Sequence, residues 1–311
     1  MKSLRKSQTV FLGLLIVTAI LQGLSPTIIH AGAWTLPQGR FWGKVTYFQQ
    51  ATDEWYISAR QFNGVWFDPG TRRPYNFDGS YESKAVFIEG VYGVTERLDV
   101  GAQIPYFDQT FQDATRSEPP TDSGFSDLRM MAKFRLLERP LVLALKGAVK
   151  FPTGDFVNED GLIPVGEGQW DFDFGIQAGR SFWPIPAYVA VEYAYRIRRE
   201  NEEILRDPGE ETLINGEVGY NITPKLLLAA KVELLRGGAG TDFGIQSTSL
   251  IKRITYLAPT ISYAVHGSTV AEVAMRFSLN GRNFPAGKQI TLGMSTDFDL
   301  NRLVVNTLRQ R

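Results

Sequence analysis

The sequence predicts an all-β fold, a transmembrane antiparallel up-and-down β-barrel of about 12 strands. Three observations predict it. A secretory leader precedes the body of the chain. Long segments then alternate strictly between apolar and polar residues. The connections between those segments alternate between short turns and long polar loops.

The leader comes first. Lys2, Arg5 and Lys6 precede an apolar run from Val10 to Leu24, and the small residues Ala31-Gly32-Ala33 follow. A charged start, an apolar middle and an A-x-A-like end form a signal peptide, which is removed and takes no part in the fold. Cleavage is expected after Ala33, leaving Trp34 first, with cleavage after Ala31 as the alternative. The expected divisions are a signal peptide at 1–33, a barrel at 34–300 and a C-terminal tail at 301–311. The export route leads to the cell outer membrane of a Gram-negative-type cell.

Composition excludes several classes. The full chain has 33 basic and 33 acidic residues, and the leader removes three bases and no acid. There is no basic excess for nucleic acid to meet. The absence of cysteine excludes disulfide and thiolate chemistry and a lipid-modified cysteine at the cleavage site. No apolar run after residue 33 approaches the roughly 20 residues of a membrane helix.

The alternation carries the fold. In 168–179, Trp170, Phe172, Phe174, Ile176 and Ala178 share one face, and Gln169, Asp171, Asp173, Gly175, Gln177 and Gly179 share the other. Period-2 alternation is a strand. The same pattern recurs in 128–136, 187–198, 226–234 and 271–279. Counting along the chain gives strands at 40–51, 80–92, 97–107, 125–136, 141–151, 169–180, 187–199, 211–222, 225–236, 255–265, 269–279 and 288–298. At about ten residues or more they suit a membrane-crossing strand of ~9–11 residues better than a soluble one of ~5–6.

The connections supply the polarity of the barrel. Short turns fall at Gly93–Arg97, Leu137–Pro140, Arg180–Pro186, Ile222–Pro224 and His266–Ser268. Long loops fall at Asp53–Gly79, Asp108–Gly124, Pro152–Gly166, Glu200–Glu210, Arg236–Ile254 and Asn280–Gly287. Short periplasmic turns and longer external loops are the asymmetry of outer-membrane barrels. Lipid offers no hydrogen bonds to a backbone, so a spanning sheet must close on itself.

The last strand, Thr291-Leu-Gly293-Met-Ser-Thr296-Asp-Phe298, resembles the polar-x-Gly-x-x-apolar-x-aromatic signature read by the barrel-insertion machinery. It departs at Thr296 and in continuing to Arg311, a tail expected to hang in the periplasm. Four further segments resemble a family of outer-membrane proteins associated with the meta-pathway of phenol degradation. They are Tyr92-Gly-Val-Thr-Glu-Arg-Leu98, Gly124-Phe-Ser-Asp-Leu-Arg129, Lys150-Phe-Pro-Thr-Gly-Asp155 and Gly166-Glu-Gly-Gln-Trp-Asp171. The resemblance covers about residues 80–200. It implies a membrane barrel with a role in uptake of hydrophobic or aromatic compounds, and it carries no catalytic or binding residues with it.

Enzymatic barrels need a general base that titrates near neutral pH. His30 leaves with the leader, and His266 falls in an expected periplasmic turn, so no enzyme and no catalytic residue is expected. Arg236-Gly-Gly-Ala-Gly240 lacks the Lys-Ser/Thr of a phosphate loop and reads as a flexible connection. Asp155, Glu159 and Asp160 read as a solvated acidic loop, with a cation bridging lipopolysaccharide as the minority reading; no metal or cofactor is assigned.

The inward face is the candidate site. Arg129, Lys133, Arg135, Lys146 and Lys150 form an expected basic stripe. Asp171 and Asp173, then Glu192, Arg196 and Arg198, follow on the next strands, and Glu217, Lys231, Glu233, Glu272 and Arg276 continue the wall. Two readings stand. The charges either set a transverse field across a water-filled constriction or neutralise one another in a network that fills the lumen. An arginine at Asp173 is expected to leave folding nearly intact and to alter only lumen charge. The first long loop is rich in rings: Trp55, Tyr56, Phe62, Trp66, Phe67, Tyr75 and Phe77 either fold inward as an aromatic constriction or join the girdle at the membrane interface.

The expected function is a passive or weakly selective channel for small, hydrophobic or aromatic molecules. The alternatives are a structural or interaction barrel with a plugged lumen and an outer-membrane hydrolase. Expected partners are membrane lipid, lipopolysaccharide, the insertion machinery and a small-molecule solute.

Overall fold

The computed structural model describes residues 32–58, 61–62, 65–66, 68–156 and 164–300. Twelve long strands form one antiparallel barrel: β1 (Arg40–Thr52), β2 (Ser80–Thr95), β3 (Leu98–Gln112), β4 (Arg129–Leu137), β5 (Val142–Lys150), β6 (Asp171–Ser181), β7 (Ala187–Arg198), β8 (Glu211–Thr223), β9 (Leu226–Gly237), β10 (Arg253–His266), β11 (Thr269–Arg282) and β12 (Lys288–Asp299). Each pairs with the next, and β1 pairs with β12 from Arg40↔Asp299 to Gln50↔Gln289, which closes the barrel. Residues 1–31 of the expected leader and the expected tail 301–311 lie outside the described residues.

The alternation sets which side each residue takes. Phe174 is 60% exposed, and Ile88, Val218, Val273 and Met294 are likewise turned outward. Asp171, Lys150, Arg198 and Glu211 are buried inside. Apolar residues outside and charges inside invert the arrangement of a soluble sandwich and match a lipid-facing wall.

Two of the short turns share one chemistry. The Thr95 hydroxyl accepts hydrogen bonds from the amides of Arg97 and Leu98 at 3.2 and 3.1 Å. The Thr223 hydroxyl accepts from Lys225 and Leu226 at 3.2 and 3.0 Å. Each threonine thereby satisfies two amides that the strand ladder leaves free.

The external side differs from expectation. β3 continues to Gln112, and Thr121–Phe125 pairs with its outer part, from Tyr106↔Phe125 to Thr110↔Thr121. The apolar pattern ends at the lipid boundary, but the hydrogen-bond ladder continues into water, where polar residues are tolerated on both faces. The loops also form sheets of their own. Glu54–Tyr56 pairs with Arg72–Pro74 and with Phe284–Pro285, which joins the first loop to the last. Gly240–Asp242 pairs with Arg206–Asp207 and Ile245–Ser247. The stretch Arg236–Gly240, expected as a flexible connection, therefore runs from the end of β9 into this small sheet.

Arginine at Phe174 should destabilise the barrel by ~2–4 kcal/mol, the cost of a cation on the lipid face near mid-membrane. Denaturant unfolding of refolded Phe174→Arg in lipid vesicles measures it; wild-type stability would mean this face does not meet lipid.

Candidate functional site

The strand register brings the lumen charges together in cross-strand rows. Arg129, Lys150, Asp171 and Arg198 are successive Cα partners across β4, β5, β6 and β7. Asp173, Arg196 and Glu211 form the neighbouring row. In the first row Lys150 Nζ lies 3.1 Å from Asp127, 2.5 Å from Glu167 and 3.2 Å from Asp171. Arg198 binds Glu167 at 2.7 Å, Glu211 at 3.1 Å and Asp171 at 3.5 Å. In the second, Arg196 binds Asp173 at 2.7 Å and Glu211 at 3.0 Å, and Arg129 also binds Asp173. Five carboxylates thus hold four cations in the outer half of the lumen.

The expected basic stripe facing an acidic one is not what forms. Pairing is local, between adjacent strands, because a charge taken from water needs its partner within hydrogen-bond reach. Lys146 binds Glu192 at 3.0 Å. On the far wall Lys44 binds Glu272 at 2.8 Å, and Lys231 lies 3.7 Å from Glu217 and 3.8 Å from Glu272. Arg276 binds Glu233, and its guanidinium sits 4.2 Å from the centre of the Tyr256 ring. Arg135 lies at the periplasmic rim, 3.9 Å from Glu138, and donates to the Glu96 carbonyl. Asp127, Glu167, Glu211 and Lys44 were not singled out from the sequence. Glu167 lies in a loop, where alternation assigns no face, and Asp127 falls in the break between Phe125 and Arg129 that divides the expected strand 125–136.

A second lumen feature is aromatic. Phe48, Phe87 and Phe107 lie on the inner face of β1, β2 and β3. Phe87 stands edge-on to both neighbours, 6.4 Å from Phe48 and 5.7 Å from Phe107 between ring centroids. These strands carry aromatic rings on both faces, so the rings themselves do not mark the lumen side. The ladder sits among the polar lumen residues of the same strands, Lys44 and Gln50 on β1, Ser83 and Glu89 on β2 and Asp99 and Gln109 on β3.

The third feature is the segment before β1, which runs inside the barrel at its periplasmic end. The Leu36 amide donates to Asp99 Oδ1 at 3.0 Å, and the Gln38 amide donates to Glu96 at 3.2 Å. Lys133 Nζ donates to the Trp34 carbonyl at 2.5 Å and pairs with Asp99 at 3.2 Å. The Trp34 ring meets Tyr188 edge-on at 6.1 Å. It also lies against Gly179, where a Cβ would come within 2.6 Å of the indole. Only glycine leaves room for that ring. Ala33, the expected cleavage position, is fully buried against Val142 and Ala144.

The loop aromatics divide between lumen and rim. Tyr56 is buried against Ile254, Tyr256 and Ala286, and its hydroxyl donates to the Ser278 carbonyl at 3.2 Å. Trp55 stacks on Tyr75 at 5.9 Å, and Tyr75 meets Phe111 at 5.4 Å, on the rim. Phe77 is exposed. Trp66 lies in a short hairpin strand, Val65–Trp66, paired with Gln61–Phe62. Phe67, and likewise Glu159 and Asp160, lie outside the described residues. His266 ends β10 at an exposed turn.

These contacts revise one expectation and generate two predictions. Asp173 holds both Arg129 and Arg196, so an arginine there would set three cations together. Asp173→Arg should therefore destabilise the barrel rather than alter lumen charge alone. Arg198→Met, which strips Asp171 and Glu211 of a cation, should cost about 3–5 kcal/mol in the same unfolding assay; a neutral result would mean water already solvates these carboxylates. Burial raises the Glu167 carboxyl, but Arg198 and Lys150 outweigh it and hold the group well below the usual carboxylate range. A depressed carboxyl contributes stability above its unfolded value and loses it as pH falls through the folded one. The difference in Tm between wild type and Glu167→Gln should stay constant from neutral pH down to about 4.5 and shrink below it.

Comparison with known proteins places the chain. Residues 63–293 match the family described as "Putative MetA-pathway of phenol degradation". The COG4313 outer membrane channel from Pseudomonas putida F1 shares the fold, with a TM-score of 0.70 and 19% identity over 86% of this chain and 98% of that one. The toluene transporter TbuX of Ralstonia pickettii (TM-score 0.43, 11% identity, 85% of this chain and 90% of that one) and the KdgM porin (0.47, 7%, 82% and 99%) share only the outline of a barrel. No curated protein matches the sequence. With its closed barrel, lipid-facing wall and match across most of its length, the chain is an outer-membrane β-barrel belonging to the family associated with the MetA pathway of phenol degradation.

Proposed function

We propose that the barrel is a narrow channel for small molecules that carry an apolar or aromatic part. The observation that carries this reading is the inward Phe48–Phe87–Phe107 ladder beside a charged wall. Edge-to-face rings offer a solute ring further contacts of the same kind, each worth about 0.5–1.5 kcal/mol. The paired charges on the other sectors orient the polar end of a solute and present no net field strong enough to hold it. Weak binding at several places is what conduction requires. The family's association with phenol degradation agrees with an aromatic solute.

A second reading is favoured by the segment Gly32–Gly39, which occupies the periplasmic end of the lumen, and by the local neutralisation of its charges. In that reading the barrel is plugged and its external sheets engage a partner or lipopolysaccharide.

Single-channel conductance in a planar bilayer separates the two. The channel reading expects steady conductance that benzoate and similar small aromatic acids block, with Phe87→Ala weakening the block about three- to tenfold. Silence from a folded, heat-modifiable barrel would favour the plug.

A further inference from the structure

We propose that the leader is cleaved between Ala31 and Gly32, and that the new α-ammonium of Gly32 is seated inside the lumen by Glu89. The inference rests on export of the chain and is independent of what the channel carries.

Gly32 and Ala33 are built into the barrel. Gly32 has φ of +74°, a left-handed conformation that favours glycine, and a Cβ there would stand 2.9 Å from the Cβ of Ala190. Its carbonyl lies 3.4 Å from Lys133 Nζ, which also holds the Trp34 carbonyl. Ala33 is 0% exposed and packs on Val142 and Ala144. Residues discarded with a leader have no reason to match the wall in this way.

The two cleavage positions differ in where they leave a charge. Cleavage after Ala33 would put the ammonium on Trp34, in the place where Ala33 meets the apolar side chains of Val142 and Ala144. An ammonium in apolar surroundings is costly unless paired. Cleavage after Ala31 puts it on Gly32, which lines two adjoining lumen cavities together with Glu89 and Glu192. Glu192 is already paired with Lys146. Glu89 is on the lumen face of β2 and makes no ion pair or hydrogen bond among the described residues. Its cross-strand partner Lys44 turns instead to Glu272. One carboxylate without a cation among the described residues therefore shares both cavities with the backbone position at which cleavage after Ala31 creates one. An α-ammonium with an ordinary pKa near ~7.7–8.0 is charged in the neutral periplasm.

The test uses the full chain, exported in a Gram-negative host and purified from its outer membrane. Intact mass should correspond to residues 32–311; a mass for residues 34–311 overturns the proposal. An aldehyde reagent specific for N-terminal α-amines should label the folded barrel far more slowly than the denatured chain. Equal labelling of the two would overturn the seating of the ammonium. Glu89→Gln should raise labelling of the folded barrel several-fold, and an unchanged rate would remove Glu89 from the role. The wild-type mass and labelling stand on their own if that variant folds poorly.

Discussion

A bilayer interior cannot satisfy a backbone amide, and everything else in this molecule follows from that constraint. The sheet must return to its own first strand, so β1 must meet β12. Once closed, it has an outside that only apolar side chains tolerate and an inside into which every wall-borne charge at membrane depth must go. The lumen therefore collects the electrostatics of the whole transmembrane region. A twelve-stranded lumen is narrower than that of the large porins, so those charges sit near enough to pair.

Pairing on neighbouring strands has a structural as well as a functional effect. Rows such as Lys150, Asp171 and Arg198 lock three strands in register, because slipping any strand by one residue turns its charges into lipid. The strands β1 to β3, which carry the phenylalanine ladder, form one sector of the wall.

The sequence made the barrel legible because period-2 alternation is strongest where one face meets lipid and the other meets charge. Strands such as β6, with Phe174 beside Asp173, are unambiguous for that reason. Five things were not legible. Salt-bridge partners were misread as stripes, because alternation gives the face of Lys150 or Asp171 and says nothing about which acid each base selects. Glu167, supplied by a loop, has no assigned face at all, and Asp127 falls in a break of the expected strand 125–136. The inward ladder was hidden because Phe48, Phe87 and Phe107 lie on strands with rings on both sides. The segment around Trp34 was hidden because eight irregular residues carry no period; Gly179, facing it, was the available trace. The loop sheets were missed because their strands are two or three residues long and draw partners from distant loops.

The junction between the first and last external loops has a consequence for assembly. Glu54–Tyr56 follows the first strand, and its partner Phe284–Pro285 lies between the last two. Tyr56 needs Ile254, Tyr256 and Ala286 around it before it leaves water. That tyrosine is therefore packed only where the first and last strands of the barrel lie side by side. The buried phenol is thus a marker of completed insertion, and the clasp it belongs to fastens the seam from above once the last strand is home.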